Sequence, residues 1–225
     1  MVQPLRITRS TSLPSSETRV PRYKRPFDLV LGTILLLVAT PIAAIAAVFI
    51  KLTSPGPVFF LQERVGLSGR PFVMYKFRTM HHGADQNVHR EYFRQYQQGI
   101  TAPGQDKPIF KLQRDPRITR IGSILRSLAL DEIPQLWNVV KGDMSLVGPR
   151  PPLMYEVQDY NQRDLARLSV KPGITGLWQI KGRDVVDFAT MIDLDLDYIN
   201  RQSLALDSAI VLATVPALVW AYINR

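Results

Sequence analysis

Hydrophobic and polar positions divide this chain into one long apolar run, a polar middle and a closing apolar stretch. From Leu29 to Ile50 no side chain is charged. Those 22 positions would form a helix of ~33 Å, enough to span a bilayer. Thr40-Pro41 falls in its middle, where proline removes a helical hydrogen bond and kinks the axis. Arg19, Arg22, Lys24 and Arg25 precede the run, and Lys51, Arg64 and Arg70 follow it. The cytoplasmic preference of Lys and Arg then puts both ends on one side. A straight span cannot satisfy that, whereas a helix that enters and returns through one leaflet does. An ordinary kinked transmembrane helix is the alternative.

The rest reads as short elements. Residues 1–20 carry Ser, Thr, Pro and Arg without apolar periodicity and predict a disordered tail. Pro55-Gly56-Pro57 ends the membrane segment. Val58–Val65 and Phe72–Thr79 read as strands around a Gly66–Gly69 turn, a hairpin in which Lys76 and Arg78 share one face. Residues 81–108 are polar, with one short helix over Glu91–Gln98 and no assignable role. Thr119–Leu130 carries Ile121, Ile124, Leu125 and Leu128 at helical spacing. Leu153–Leu168 predicts an amphipathic surface helix. Phe188–Ile199 predicts another, which spreads Asp193, Asp195 and Asp197 over different faces, mostly solvated and poor as a metal cluster. Leu204–Ile223 is apolar apart from Asp207, Ser208 and Thr214 and is interrupted by Pro216. It reads as helices at the membrane interface, with Asp207 costly in hydrocarbon unless paired.

Charge changes the picture little. Twenty-eight basic residues against 19 acidic give +9, which suits nucleic acid, an anionic membrane face or phosphorylated substrates. The basic residues are dispersed, and no nucleic-acid-binding signature accompanies them. No cysteine is present, which excludes disulfides, thiolate metal sites and cysteine nucleophiles. His81, His82 and His89 lie in the polar stretch and read as solvated.

Candidate chemistry concentrates in Leu130–Arg150. Asp131 can cap a helix that holds Pro134 in its first turn and stops near Gly142. A helix start favours negative charge, so Asp131 and Glu132 are expected ionised. A Pro-rich loop then carries Arg150. Two anions and a fixed cation suit phosphoryl chemistry on a metal-bound diphosphate. A capping Asp, a solvated Glu and a structural turn fit the same spacing.

The wording LDEIPQLWNVVKGDMSLVGPRP resembles the signature of the bacterial sugar transferases, the monotopic phosphoglycosyl transferases. KRPFD, SPGP, QERVGLSGRPF, YKFRTM, DPRITRIGSILR and VKPGITGLWQIKGR extend the resemblance from Lys24 to about Asp207. It implies transfer of a sugar-1-phosphate from a nucleotide diphospho-sugar, with UDP as the expected nucleotide, to polyprenyl (undecaprenyl) phosphate. It also implies Asp131 as nucleophile, Glu132 as Mg²⁺ ligand, and Lys76, Arg126, Arg150, Arg183 and Asp207 as the substrate- and phosphate-binding shell. The expected fold is an α/β, mostly helical, membrane-associated domain with a small hairpin. Its parts are a tail (1–20), a re-entrant helix-break-helix (21–54) broken at Thr40-Pro41, and a catalytic domain (55–225) with interfacial C-terminal helices. That domain is expected on the cytoplasmic face of the bacterial inner membrane, and oligomeric state stays open. A basic nucleic-acid-binding membrane protein and a non-catalytic membrane scaffold are the alternatives. The intact Asp131-Glu132 pair speaks against the scaffold.

Overall fold

A 30-residue apolar helix, α1 (Lys24–Thr53), is the longest element. The computed structural model describes residues 20–84, 87–98, 115–182 and 187–223. The tail before Val20 and the Gly/Pro-rich piece 99–108 therefore lie outside the described residues. After α1 come β1 (Phe59–Val65), β2 (Pro71–Phe77), α2 (Asn87–Gln97), α3 (Arg120–Ser127) and α4 (Gln135–Lys141). Next follow β3 (Ser145–Val147), α5 (Met154–Gln158), α6 (Gln162–Leu165) and β4 (Gly173–Thr175). Helices α7 (Leu177–Gly182), α8 (Phe188–Arg201) and α9 (Leu204–Ile223) complete the order.

The hairpin forms as the sequence predicts: β1 and β2 pair antiparallel, from Phe59 opposite Phe77 to Val65 opposite Pro71. The second sheet is unexpected. β3 and β4 pair in parallel, Ser145 with Gly173 and Val147 with Thr175. A parallel pair needs a crossover, here α5 and α6. A Cβ on Gly173 would stand 2.1 Å from the Gly148 nitrogen, so these glycines serve close backbone approach.

α1 passes through Thr40-Pro41 without ending. The expected helix-break-helix is one helix. Proline costs it one N–H bond, while packing continues on either side. Leu31, Leu35, Leu36 and Ala39 pack on a core containing Leu136, Val139, Val147 and Ile210. Ala43, Ala46, Ala47 and Ile50 pack with Phe77 and Leu125. Both halves thus lie on the same domain along one helical stripe. On the other side Val30, Leu37, Val38, Ile45 and Leu52 are all more than half exposed. By length and composition α1 could cross a membrane.

Polar clasps fix both ends of α1. Lys24 Nζ donates to Asp207 (2.6 Å), the Tyr198 hydroxyl (2.7 Å) and the Val147 carbonyl (2.8 Å). Asp28 accepts from the Ser145 hydroxyl and the Leu146 N–H, each at 2.9 Å. Arg25 donates to the Val139 and Val140 carbonyls at 2.8 Å, placing a cation on the last turn of α4. At the far end Arg78 grips the Ser54 carbonyl, the Ser54 hydroxyl and the Pro55 carbonyl at 2.7–2.8 Å.

Three other expectations change. The surface helix expected over Leu153–Leu168 is broken into α5, α6 and a tight turn over Ala166–Ser169. Local caps break it: Glu156 accepts the Leu153 N–H at 3.0 Å, and Asn161 accepts that of Asp164 at 3.0 Å. Asp195 is buried rather than solvated, 2.7 Å from buried Arg167. Burial pushes its carboxyl up to about 6, against the pull of Arg167. Finally, α9 is a single helix through Pro216, with Leu212, Val215 and Trp220 exposed and Ile210 buried.

Lys24 and Asp207 are 4% and 0% exposed, so neutralising either one leaves a buried charge unpaired. Lys24→Met or Asp207→Asn is expected to cost about 3–5 kcal/mol. The apparent melting temperature in detergent should fall sharply for either single variant, and by less than the sum of the two for the double variant.

Candidate active site

Asp131 is placed by a tight reversal between α3 and α4. The Thr119 hydroxyl caps α3, accepting the Gly122 N–H at 2.9 Å. A Cβ on Gly122 would stand 2.0 Å from the Thr79 carbonyl oxygen, so only glycine lets α3 lie this close to the end of the hairpin. Arg126, in the last turn of α3, donates from Nε to the Thr79 hydroxyl at 2.9 Å. Ala129 is left-handed at φ 54°, which costs a non-glycine residue about 1–2 kcal/mol. Leu130–Glu132 then makes one tight 3₁₀ turn.

Asp131 is therefore not a helix cap. α4 begins at Gln135, behind Pro134, with no capping side chain. The left-handed Ala129 opens a separate turn that ends at Glu132, and Pro134 takes the N-cap position of α4. Asp131 is only 9% exposed, and Glu132 forms a 3.0 Å ion pair with Lys76. Burial lowers the pKa of Arg126, and the charge of Asp131 is the strongest influence opposing it, with Glu132 also contributing. Asp131, Glu132, Arg126 and Lys76 thus share one site. Buried Asn138 fixes the frame: its Nδ2 donates to the Val73 carbonyl at 2.7 Å, and its Oδ1 accepts the Tyr75 N–H at 3.0 Å. That contact docks α4 on β2. Lys76 and Arg78 part company here, since Arg78 lies just beyond β2 and turns to Ser54.

Arg150 forms a second half. It is the one residue between Met144 and Leu153 that is not buried. Its Nη1 stands 3.6 Å from Glu156 Oε2. Arg64, itself buried, donates to the Pro151 carbonyl at 2.8 Å and to the Gln62 side chain at 2.7 and 3.1 Å. Burial depresses the Arg64 pKa to about 9 and the Arg150 cation pushes the same way, while Glu156 and Glu132 oppose. Arg64 therefore lies within electrostatic reach of both Arg150 and Glu132, linking the two halves.

The remaining candidates fall elsewhere. Asp207 is wholly buried in the Lys24 clasp, and Arg183 lies outside the described residues. Sequence reasoning missed Arg64, Glu156, Thr79 and Asn138. Arg64, Thr79 and Asn138 stand inside family-like motifs, which was their only signal. Among the described residues no three His, Cys, Asp or Glu side chains gather to hold a metal. The hard oxygens of Asp131 and Glu132 fit a Mg²⁺ that brings most of its shell from water and substrate phosphates. Phe60, opposite Lys76 in the hairpin, is exposed, as are Phe59, Leu61, Ile124 and Leu128. Half of the predicted α3 stripe thus faces outward, while Leu125 and Ile121 pack inward.

Gly122→Ala should force α3 from the Thr79 carbonyl and carry Arg126 with it. The expected cost is about 1–3 kcal/mol, together with a larger loss of activity than the melting shift alone explains. Parallel melting and turnover assays check this.

The bacterial sugar transferase family model matches residues 19–221. "Exopolysaccharide production protein ExoY" of Rhizobium meliloti is 40% identical over 86% of this chain and 84% of its own length. "UDP-glucose:undecaprenyl-phosphate glucose-1-phosphate transferase" of Caulobacter vibrioides is 41% identical over 91% of this chain and 73% of its own. "Undecaprenyl-phosphate galactose phosphotransferase" of Salmonella typhimurium is 41% identical over 85% of this chain, but over only 39% of that longer protein. The motifs, the clustering of Asp131, Glu132, Arg126 and Lys76, and these matches lead to one conclusion: the chain belongs to the bacterial sugar transferase family and is a phosphoglycosyl transferase.

Proposed function

We propose that this chain moves a sugar-1-phosphate from a UDP-sugar to undecaprenyl phosphate in two displacements at Asp131. The observation that carries the reading is the buried Asp131 beside Glu132, framed by the Lys76 and Arg126 cations. The names of the Caulobacter and Salmonella relatives support the substrate classes.

A carboxylate nucleophile avoids bringing two highly anionic substrates together in one step, where their charges repel. In the first displacement an Asp131 oxygen attacks the phosphorus that bears the sugar. The Asp131 O–P bond forms, the bond to the bridging oxygen of the diphosphate breaks, and UMP departs with that oxygen. In the second, an oxygen of the lipid phosphate attacks the same phosphorus. The Asp131 O–P bond breaks, and undecaprenyl diphospho-sugar leaves. Lys76 and Arg126 keep positive charge at the phosphoryl oxygens, and Arg150 holds the donor's diphosphate in line. Glu132 would hold a Mg²⁺, which when bound would supply charge neutralisation to the leaving group.

Attachment fits the same reading. The exposed apolar side of α1 meets lipid while its clasped ends stay with the domain. The basic flanks place that domain on the cytoplasmic face, where the acceptor's phosphate lies at headgroup level.

Enzyme mixed with UDP-sugar alone should release at most about one UMP per chain and gain the mass of a phospho-sugar on the Asp131 peptide. Asp131→Asn should show neither adduct nor turnover. An unmodified Asp131 peptide under rapid quench, with a donor that supports turnover, would contradict the covalent route. Excess chelator should abolish turnover and added Mg²⁺ restore it. Glu132→Gln should stay folded yet lose most activity.

A further inference from the structure

The loop Pro149–Pro152 is held at every carbonyl. Gly173 N–H donates to Pro149 O (2.8 Å) and Val65 N–H to Pro152 O (2.9 Å). Arg167 donates to Arg150 O (3.3 Å) and Arg64 to Pro151 O (2.8 Å). Three of its four residues are proline, so its backbone has little freedom left. The one variable is the direction of the Arg150 side chain.

Glu156 faces that side chain. It is 1% exposed, and its Oε2 takes the Leu153 N–H at 3.0 Å while standing 3.6 Å from Arg150 Nη1. Its Oε1 is buried without a hydrogen-bond partner. A buried carboxylate so incompletely bonded is costly for stability alone, which points to a use for its charge. Arg64 is likewise a buried cation whose hydrogen bonds go to neutral oxygens of Gln62 and Pro151.

We propose that Arg64 and Glu156 are positioning residues for Arg150: Arg64 fixes the loop backbone against β1, Glu156 aims the guanidinium, and neither touches substrate. The inference rests on the reading above, in which Arg150 holds the donor's diphosphate. A guanidinium aimed in advance binds a diphosphate without first ordering itself.

Glu156→Gln keeps an oxygen for the Leu153 N–H and removes only the charge. The folded variant should show KM for the UDP-sugar raised about tenfold with kcat changed less than about threefold, since aim is lost and the nucleophile is not. Affinity for inorganic pyrophosphate, measured calorimetrically on the whole chain, should weaken by a similar factor. In an Arg150→Ala background the same substitution should change neither quantity further, because its effect passes through Arg150. Arg64→Lys keeps charge but loses the forked grip, and should give the same signature, so it decides the matter if Glu156→Gln fails to fold. Wild-type KM and pyrophosphate affinity in a folded variant, or an equal loss without Arg150, would overturn the proposal. If the wild-type chain turns over no UDP-sugar, the activity reading fails, while the pyrophosphate comparison still decides the roles of Arg64 and Glu156.

Discussion

The buried ion pair between Lys24 and Asp207, with the Arg78 bonds to Ser54 and Pro55, ties both ends of an apolar helix to one domain. Everything else in the structure depends on that constraint. A 30-residue helix at ~1.5 Å per residue could carry its ends to opposite sides of a bilayer. Here each end is bonded to the same folded unit, and the stripe between them packs on that unit's core. The opposite side is left as an exposed apolar face. These contacts support the proposed attachment from one side, independently of the basic flanks that suggest it from sequence.

The clasp also reaches the chemistry. Arg25 bonds the carbonyls that end α4, Asn138 docks the same helix on β2, and Lys76 of β2 meets Glu132 just before α4 begins. The apolar helix α1 and the turn that carries Asp131 are therefore neighbours through a few rigid contacts. Electrostatic preorganisation needs such rigidity, because a cation that must reorient on binding loses much of its value. On the Arg150 side the proline loop gives the same result by another route.

Local features were legible in the sequence. The hairpin shows period-two strands around a Gly turn, and the end of α4 at Gly142 shows in a glycine that adopts φ +99°. The nearness of Asp131, Glu132 and Arg126 is legible because they stand within one short, family-like stretch. What escaped depends on partners far away in the chain. The family motif points Asp207 toward the site, yet its partner Lys24 lies 183 positions earlier. The helical period cannot show that Arg167 waits beneath Asp195. β3 and β4 are three residues each, too short for any periodicity. Pro41 suggests a break because the sequence does not reveal packing that continues past it. Arg64 and Glu156 look like ordinary surface charges until the Pro149–Pro152 loop is seen between them.

One labelling experiment bears most directly on the clasped helix. The chain has no native cysteine, and Arg22 and Lys51 are exposed at the two ends of α1. Single cysteines at these positions should both react with a membrane-impermeant maleimide from the cytoplasmic side of sealed inner-membrane vesicles, and neither from the other side. Reaction of Arg22→Cys and Lys51→Cys from opposite sides would mean that α1 crosses the bilayer, and the account of a domain holding both ends of its membrane helix would be wrong.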